Sequence, residues 1–372
     1  MKSLFHGIYE GKRVLLTGHT GFKGSWLAFW LLRMGAQVTG VSLPPVTEPN
    51  HYSLLMFSTS ELHSKVLDIC DLTALQQAVH AAQPEIVFHL AAQTLVRRSY
   101  KEPRQTFNTN IMGTVNLLEA CRLVGSVRAF VNITSDKCYE NKEWVWGYRE
   151  NDPMGGHDPY SASKGCSELL TACWRNSFFH PEKYGIAHQT LLASARAGNV
   201  IGGGDWGDDR LIPDIVRAID KGTQVDIRNP QATRPWQHVL EPLSGYLLLG
   251  QKLLEGRKEF AQAWNFGPAG EGAITVGEVL RHIKKHWDKF DYTLKPDPDQ
   301  PHEANLLQLD CSMARDRLGW KPVWDVDTTF DKTASWYRAF YEQGVILTSD
   351  NLQKFIHKAQ QKRLCWSKIE IP

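Results

Sequence analysis

The stretch Val14-Leu15-Leu16-Thr17-Gly18-His19-Thr20-Gly21-Phe22-Lys23-Gly24 decides the fold, together with the apolar run at residues 25–32 that follows it. The apolar residues 14–16 are typical of a short buried strand, and the second run has the spacing of a helix. A strand, a glycine-rich turn and a helix in this order are the context of a dinucleotide-binding site. The glycines let the backbone approach a pyrophosphate, and the first turn of the helix offers free N–H groups. GxxGxxG spacing also occurs in ordinary α/β turns, so this stretch alone leaves the ligand open.

Strand-like apolar runs alternate with helical stretches over the first two thirds of the chain. Further strands are predicted at residues 38–41, 86–90, 129–133, 190–195 and 263–266, and helices at residues 106–122, 160–177 and 211–221. This alternation predicts an α/β protein with a doubly wound parallel sheet.

The predicted division is a dinucleotide-binding domain at 1–197, with a sheet strand returning near 262–267, a smaller substrate-binding lobe at 198–350, and a helical tail at 351–372. The tail is polar and basic, so we expect it to be exposed or to pack against another subunit. Trp26 and Trp30, spaced by one helical turn, are expected in the core.

Composition narrows the classes of protein to consider. The 372 residues include 42% hydrophobic residues and carry a formal net charge of +2, and their Lys and Arg are scattered. Neither nucleic acid nor an anionic membrane is favoured as a partner by such a charge. The 7 cysteines form no CxxC pair and the N-terminus has no signal-peptide core, which predicts reduced thiols in a cytoplasmic protein. No apolar run is long enough to span a bilayer, and no metal site is predicted.

Two short segments carry the groups that could do chemistry. Tyr160 and Lys164, in Tyr-Ser-Ala-Ser-Lys, lie at i and i+4 on one face of a predicted helix. The ammonium is expected to lower the pKa of the phenol, so that Tyr160 can accept a proton from a hydroxyl. Upstream, Ser135, Asp136 and Lys137 offer a hydroxyl, a carboxyl and an amine after a predicted strand. Oxidation of an alcohol needs only the hydroxyl beside the Tyr and Lys, so the acid and the second amine predict a further chemical step.

The glycine-rich turn and the Tyr-x-x-x-Lys pair together resemble the extended short-chain dehydrogenase/reductase family. Within it, Ser-Asp-Lys resembles the nucleotide-sugar 4,6-dehydratases, and Gly-His-Thr-Gly-Phe-Lys-Gly adds a likeness to the members that act on CDP-glucose. The likeness runs from about residue 10 to about residue 345. It implies a Rossmann-like fold and a hydro-lyase that converts CDP-D-glucose to CDP-4-dehydro-6-deoxy-D-glucose and water. Such an activity belongs to deoxysugar biosynthesis for cell-surface polysaccharides such as the lipopolysaccharide O-antigen.

The resemblance implies roles for the oxidation step. Tyr160 would take the proton of the C4 hydroxyl while C4 gives hydride to NAD, and Lys164 would support Tyr160 and hold the nicotinamide ribose. Ser135 would donate a hydrogen bond to the C4 oxygen. Thr134 is the alternative hydroxyl, although the register from the following carboxyl favours Ser135.

Elimination across C5 and C6 would need an acid and a base, and hydride would then return to C6. Asp136 matches the acid of the resembling dehydratases, whereas Lys137 occupies the position of their glutamate base. As a base, Lys137 must be a neutral amine, which requires desolvation or nearby cations. As an ammonium, it could instead stabilise an enolate. Both roles stay open.

NAD is the expected cofactor, with weaker ribose anchoring than usual. An NAD site places an acid about 20 residues past the glycines, and an NADP site needs a cation there. The nearest acid is Glu48, beyond two prolines, and no Lys or Arg occurs between Arg33 and Lys65. The missing cation counts more strongly against NADP than the missing acid counts against NAD. The predicted cofactor-binding residues are Gly18, His19, Thr20, Gly21, Phe22, Lys23, Gly24, Asp68, Ile69, Leu90, Ala91, Ala92 and Gln93, with Tyr160 and Lys164.

The substrate end of the site is predicted from the same resemblance. Asn199 and Arg234 match residues that contact the sugar diphosphate, and Arg210 is a second candidate. Asn108 and Asn110 could belong to the site or could only bridge helices. A nucleotide sugar and further copies of the chain, as a dimer or a dimer of dimers, are the expected partners. The alternatives are a dehydratase or C4 epimerase acting on another nucleotide sugar, and a non-catalytic dinucleotide-binding regulator.

Overall fold

The molecule is built on a sheet of seven parallel strands. Its structure, a computed structural model, describes residues 1–227, 229–268, 273–295 and 306–368. The strands in chain order are β1 (Arg13–Thr17), β2 (Gln37–Ser42), β3 (Leu62–Val66), β4 (Ile86–His89), β5 (Ala129–Ile133), β6 (Leu191–Ala197), β7 (Val200–Ile201), β8 (Val225–Ile227), β9 (Thr233–Pro235), β10 (Gln237–His238), β11 (Ala263–Phe266), β12 (Ala273–Thr275) and β13 (Tyr292–Leu294). The order across the main sheet is β11-β6-β5-β4-β1-β2-β3, and each neighbouring pair is parallel. The order reverses direction beside β1, which is the switch point where ligands bind in doubly wound sheets.

Helices cover both faces of this sheet. They are, in chain order, α1 (Phe22–Arg33), α2 (His51–Leu54), α3 (Leu72–Ala82), α4 (Val96–Lys101), α5 (Pro103–Phe107), α6 (Gly113–Arg122), α7 (Pro159–Ser177), α8 (Leu211–Lys221), α9 (Leu240–Leu254), α10 (Val276–His286), α11 (Val326–Gln343) and α12 (Thr348–Gln361). Along β1, Val14 and Leu16 enter one apolar core with α1 and α9, whereas Leu15 enters the other with α3 and α6. Strands buried on both faces read as unbroken apolar runs, which is why β1 could be predicted from its sequence.

The predicted strands of the main sheet are present, including the return of the chain as β11 beside β6. Trp26 and Trp30 are fully buried, as expected for α1. The helix predicted at residues 106–122 is wrong in detail, because it begins at Pro103 and is interrupted by a π turn at Asn108–Met112. A wider turn of this kind often occurs at functional sites, and here it turns the Asn110 side chain toward the end of β4.

After β6 the chain leaves the main sheet and forms short two-stranded pairs, β7 with β10, β9 with β12, and β8 with β13. Together with α8, α10 and α11, these pairs make the smaller, more irregular part of the molecule. The division into domains at residues 198 and 351 stays a prediction. Among the described residues, no helix combines the length and the apolar character that a bilayer crossing requires.

The C-terminal tail is helical as predicted, and one face of this helix is exposed whereas the other is buried in the chain's own core. Helix α12 begins at Thr348, and its residues Leu352 and Phe355 are fully buried. After the helix, Trp366 is also fully buried and stacks on Phe5 with ring centroids 5.2 Å apart. Although the tail is polar overall, its apolar residues recur at helical spacing. They form a stripe along one face of the helix, and this stripe packs on the chain's own core. Residues 369–372 of the predicted tail lie outside the described residues.

Candidate active site

The residues predicted for the cofactor, the substrate and catalysis come together around one cavity of about 1250 Å³. Every predicted site residue except His19 contributes to its wall. The cavity lies at the carboxyl edge of the sheet, where β1, β4, β5 and β6 end. Pockets for one small ligand are typically about 300–1,000 Å³. The cavity is therefore large enough for a cofactor and a substrate side by side.

The glycine-rich turn is shaped for close approach of a ligand to the backbone. Gly18 has φ +74°, and a Cβ there would lie 2.8 Å from the Ala91 amide nitrogen. A Cβ on Gly24 would lie 2.0 Å from the Gly18 carbonyl oxygen. Gly21 is the N-cap of α1 and has no side chain to occupy the first N–H groups of the helix. These N–H groups and the positive end of the helix fit the pyrophosphate of a dinucleotide.

His19 is the predicted site residue whose side chain points away from the cavity. Its Nε2 lies 2.7 Å from the Ser64 hydroxyl, and its ring fills the space where Gly40 has no side chain. The side chain is fully buried, and this burial lowers the pKa of His19 to about 4. The prediction of His19 as a cofactor contact is therefore corrected for its side chain, which packs β1 against β2 and β3.

Uncharged groups line the cavity around the end of β2. The Thr20 hydroxyl oxygen lies 2.8 Å from the Ser42 hydroxyl oxygen and donates to the Leu43 carbonyl at 2.8 Å. At the neighbouring strand end, Asp68 Oδ1 accepts the Cys70 N–H at 2.9 Å. Both Asp68 and Ile69 line the cavity. Asp68 is thus a turn residue in this structure that also faces the predicted cofactor site.

Asn110 joins the end of β4 to the helix that carries Tyr160. Its Oδ1 accepts the Gln93 N–H at 2.8 Å, and its Nδ2 donates to the Gln93 carbonyl at 2.9 Å and to the Ser163 hydroxyl at 2.8 Å. The Asn110 side chain is therefore a bridge between elements, which was one of the two readings open from the sequence. It holds the Gln93 backbone at the cavity wall.

The segment after β5 presents Ser135 and Asp136 to the cavity. The Ser135 hydroxyl donates to Asp136 Oδ1 at 2.9 Å and accepts the Lys137 N–H at 3.2 Å. The Thr134 hydroxyl donates instead to Glu168, within the buried interior. Of the two candidate hydroxyls, Ser135 is therefore the one beside the predicted acid.

Tyr160 and Lys164 lie in the first turns of α7. Asp158 caps this helix by accepting the Ser161 N–H at 2.9 Å. Burial raises the pKa of Tyr160 to about 12, and the Ser135 hydroxyl opposes this rise. Lys164 is not among the main influences on Tyr160, and its Nζ donates to the Ile133 carbonyl at 3.5 Å. In this structure burial is the largest influence on the pKa of both groups, and the role of Lys164 in lowering the Tyr160 pKa stays a prediction. Burial lowers the pKa of Lys164 to about 8.

Asp136 is a buried carboxyl among several cations. Its side chain is nearly inaccessible to solvent, and burial raises its pKa against the opposing effects of Lys137, the Ser135 hydroxyl, Lys23 and Arg234. A Cβ on Gly198 would lie 3.0 Å from Asp136 Oδ2, so this glycine makes room for the carboxyl. A carboxyl with a raised pKa can carry a proton for an acid-catalysed step.

Lys137 and Lys23 both act electrostatically on Asp136, and both residues are partly exposed to solvent. Lys137 follows the buried Asp136 in the chain. Burial lowers the pKa of Lys23 to about 8 even though the Asp136 carboxylate opposes this shift. Lys23 is thus a second amine, besides Lys137, that interacts electrostatically with the Asp136 carboxyl.

The three predicted substrate residues all face the cavity, with different partners. The Asn199 carbonyl accepts the Gln237 N–H at 3.1 Å. Arg210 forms an ion pair with Asp205 at 2.8 Å. Arg234, in β9, donates to the Thr233 carbonyl at 2.8 Å, and its charge acts on the catalytic end of the site, where it lowers the pKa of Asp136.

A buried ion pair behind the catalytic segment was missed by the sequence analysis. Glu168 and Arg196 pair at 2.8 Å, and both side chains are 4% exposed. Glu168 also accepts hydrogen bonds from Thr134 and from Ser194. Its spacing of one helical turn from Lys164 was the signal that could have found it. The pair ties β5, β6 and α7 together directly under the Ser135 segment.

This fold and site define the class to which the chain belongs. The chain is a member of the family described as GDP-mannose 4,6 dehydratase, whose sequence profile matches residues 15–333. The resemblance to nucleotide-sugar 4,6-dehydratases is thereby confirmed. The chain is 52% identical over 332 residues to the CDP-glucose 4,6-dehydratase of Salmonella typhimurium, which covers 89% of this chain and 92% of that protein.

Other relatives are more distant. The chain is 26% identical over 352 residues to the dTDP-glucose 4,6-dehydratase of the same species, covering 88% of this chain and 93% of that protein. Among solved structures, an epimerase from Methanothermobacter thermautotrophicus superposes with a TM-score of 0.77 at 24% identity, covering 92% of this chain and 96% of that one. This likeness confirms the predicted α/β fold with its doubly wound sheet.

Proposed function

We propose that this chain is a hydro-lyase that converts CDP-D-glucose to CDP-4-dehydro-6-deoxy-D-glucose and water with NAD as cofactor. The observation that carries the proposal is the buried Asp136 beside Ser135, in the cavity that Tyr160 and Lys164 also line. Identity of 52% with a CDP-glucose 4,6-dehydratase supports the substrate. Deoxysugar biosynthesis for cell-surface polysaccharide is the corresponding pathway class.

The first step is oxidation at C4. Tyr160 takes the proton of the C4 hydroxyl, and the Ser135 hydroxyl donates a hydrogen bond to the oxygen as charge develops on it. The phenol needs a lower pKa than its present value of about 12, so bringing positive charge near Tyr160 promotes this step. Lys164, one helical turn away, and Arg210, whose charge already lowers the Tyr160 pKa, are the groups of this chain that can supply it.

Elimination of water from C5 and C6 follows. The ketone at C4 makes the C5 proton acidic, and Asp136 donates its proton to the C6 oxygen as that oxygen leaves as water. Burial keeps the proton on Asp136 at a higher pH than for an exposed carboxyl. Lys137 lies next to this acid and acts at C5, either as the base or as an ammonium that stabilises the enolate.

The glycine-rich turn and the strand ends around it would hold NAD. When bound, NAD accepts a hydride from C4 and returns it to C6, so it is regenerated in each cycle. The N–H groups at the start of α1 would bind the pyrophosphate. The uncharged loop after Ser42 favours NAD over NADP because no cation is present there for a 2′-phosphate.

One assay tests the function against its alternatives. The protein is incubated with NAD and, in separate reactions, with the CDP, dTDP, UDP and GDP derivatives of glucose. We expect the alkali-induced absorbance of a 4-keto-6-deoxy sugar with CDP-glucose, and no stoichiometric accumulation of NADH. A C4 epimerase would instead give the 4-epimer with its C6 oxygen retained, and a binding regulator would leave all four sugars unchanged. Either result, or a clear preference for another nucleotide, would refute the proposal.

We also propose that the chain forms a homo-oligomer in the cytoplasm. Exposed apolar side chains lie on and beside neighbouring helices of the first domain, including Leu123 after α6 and Leu169 in α7, which are 59% and 61% exposed. Apolar surface on adjacent helices favours contact with a second copy. Light scattering should report a mass of at least two chains, and a monomer at micromolar concentration would contradict this.

A further inference from the structure

A buried ion pair lies between the helix that carries Tyr160 and the segment that carries Ser135. Glu168 is on α7, one helical turn after Lys164, and its carboxylate accepts a hydrogen bond from Arg196 Nη2 at 2.8 Å. Both side chains of this pair are 4% exposed. Burial raises the pKa of Glu168, but the charge of Arg196 and the hydrogen bonds to the carboxylate lower it more, so the net shift is downward. The pair is therefore charged within the interior.

The two members of the pair contact both ends of residues 134–139, which we call the catalytic segment. Glu168 Oε1 accepts a hydrogen bond from the Thr134 hydroxyl at the first end. At the other end, Arg196 Nη1 donates to the Tyr139 hydroxyl at 2.6 Å, and the guanidinium carbon lies 5.0 Å from the centroid of the Tyr139 ring. The short helical turn that carries the proposed acid lies between these two contacts. The pair thus holds the catalytic segment on either side of its chemical groups.

A buried ion pair of this kind can fix a geometry. On average it adds little to stability, because the cost of removing two charges from water offsets much of their attraction. Here Glu168 extends from the helix that also carries Tyr160, about two turns earlier. The same helix therefore places Tyr160 and, through Glu168, one end of the catalytic segment. Such placement matters for rate, because a displacement of about 1 Å between reacting groups can cost about 10²-fold.

We propose that the Glu168–Arg196 pair positions the catalytic segment against Tyr160, with each member of the pair holding one end of the segment. Both are positioning residues, since they act through the segment and touch no reacting atom. The inference rests on the proposed function for the identity of the chemical steps. The segment carries the hydroxyl for oxidation and the acid for elimination, so loosening it should slow both steps and leave substrate affinity nearly unchanged.

Two variants loosen one end of the segment each, and a third is the matched control. Thr134→Val and Tyr139→Phe each remove one hydroxyl that contacts the pair and keep the shape of the side chain. Tyr139→Phe also removes a hydrogen bond to Asn265, so Thr134→Val is the cleaner variant, and Thr134→Ser should restore its contact. Ser194→Ala is the control, because the buried Ser194 hydroxyl also donates to Glu168, at 2.7 Å, but comes from β6, outside the segment.

The first test follows the opening of the catalytic segment and needs no turnover. Amide hydrogen exchange of the NAD-loaded protein is read by mass spectrometry on peptides that cover the segment. Exchange should rise by at least about fivefold in Thr134→Val and in Tyr139→Phe, because each variant frees one end, and should stay within about twofold of the wild-type rate in Ser194→Ala. Unchanged exchange in both Thr134→Val and Tyr139→Phe would overturn the proposal.

The second test separates positioning from a purely structural role. With CDP-glucose and saturating NAD in a single turnover, Thr134→Val and Tyr139→Phe should form bound NADH and product at least about tenfold more slowly, with KM within about threefold of wild type. Thr134→Ser and Ser194→Ala should react at nearly the wild-type rate.

Two kinetic outcomes would overturn the proposal. A loss in Thr134→Val alone would show that this hydroxyl contacts the substrate directly, and an equal loss in Ser194→Ala would show that the pair serves only folding. Failure of the wild-type protein to convert CDP-glucose would refute the proposed function instead, and hydrogen exchange would still decide whether the pair holds the segment.

Discussion

Burial raises the pKa of both side chains that are proposed to transfer protons, Tyr160 and Asp136. The pKa of the Tyr160 phenol rises to about 12. For Asp136 the displacement suits a proton donor, because the protonated form persists to higher pH than in water. For Tyr160 it opposes the role of proton acceptor, so the first step depends on positive charge close to the phenol. The balance of nearby cations therefore controls the site at the scale of single residues.

Tyr160→Phe removes the hydroxyl of the proposed proton acceptor and retains the ring. Substrate affinity should change little, while kcat falls by at least about 10²-fold because general base catalysis is lost. Steady-state kinetics with binding measured by calorimetry checks this. Near-normal turnover would show that another group takes the C4 proton.

Asp136→Asn keeps the shape of the side chain and removes the proton for the C6 oxygen. The mutant should form bound NADH in a single turnover and then stall, because the Tyr160 step remains intact. Absorbance of NADH together with assay of the 6-deoxy product checks this. If Lys137 is the C5 base, Lys137→Ala should stall at the same stage and lose exchange of the C5 hydrogen with solvent. Failure of either mutant to form NADH would place that residue in oxidation or in binding.

The active site is made where the ends of several elements meet. The carboxyl end of β5 supplies Ser135 and Asp136, the start of α7 supplies Tyr160 and Lys164, and the start of α1 supplies the anion-binding turn. These ends are held together by close contacts that leave little room for a larger or differently placed side chain. Gly24 contacts the Gly18 backbone, and Glu168 binds both Thr134 and Arg196.

Gly24→Ala tests whether NAD binding requires the close packing of Gly24 against the Gly18 backbone. Its Cβ would lie 2.0 Å from the Gly18 carbonyl oxygen, so the turn must open and NAD affinity should fall by at least about tenfold. Gly125→Ala is a matched control, since its Cβ would meet nothing within 4 Å. Calorimetric titration with NAD measures both variants. Wild-type affinity in Gly24→Ala would mean that the turn does not contact the cofactor closely.

At the scale of the whole molecule, the C-terminal segment completes the core on which the cofactor helix packs. His51 Nδ1 lies 2.8 Å from the Ser25 hydroxyl of α1, and its Nε2 lies 2.8 Å from the Thr348 hydroxyl at the start of α12. Trp30 of α1 and Phe355 of α12 pack edge to face at 5.9 Å. The end of the chain therefore supports the element that begins at the glycine-rich turn.

Trp366→Ala should destabilise the protein by about 3–5 kcal/mol, because it leaves a cavity beside Phe5 and Phe355 in a closely packed core. Trp146→Ala is the matched control, since Trp146 is 68% exposed and its removal opens no cavity. Urea unfolding of the two variants checks the difference. Equal stability of both would show that the C-terminal segment does not contribute to the folded core.

Much of the site could be predicted from the sequence because it depends on short-range geometry. The order of strand, glycine turn and helix at residues 14–32, the shared helix face of Tyr160 and Lys164, and the hydroxyl and acid after β5 are all local patterns. The parallel sheet follows from the alternation of apolar runs, each buried on both faces. These features require only the periodicity of the backbone and the few conformations that glycine permits.

Only the tertiary structure decided how these groups affect one another. The turn of His19 toward Ser64 and the burial of one face of the C-terminal helix both depend on residues far away in the chain. Burial likewise has the largest influence on the pKa of Tyr160. Desolvation and Coulombic interactions depend on everything that packs around a group, and a spacing along the chain specifies only which residues share a face.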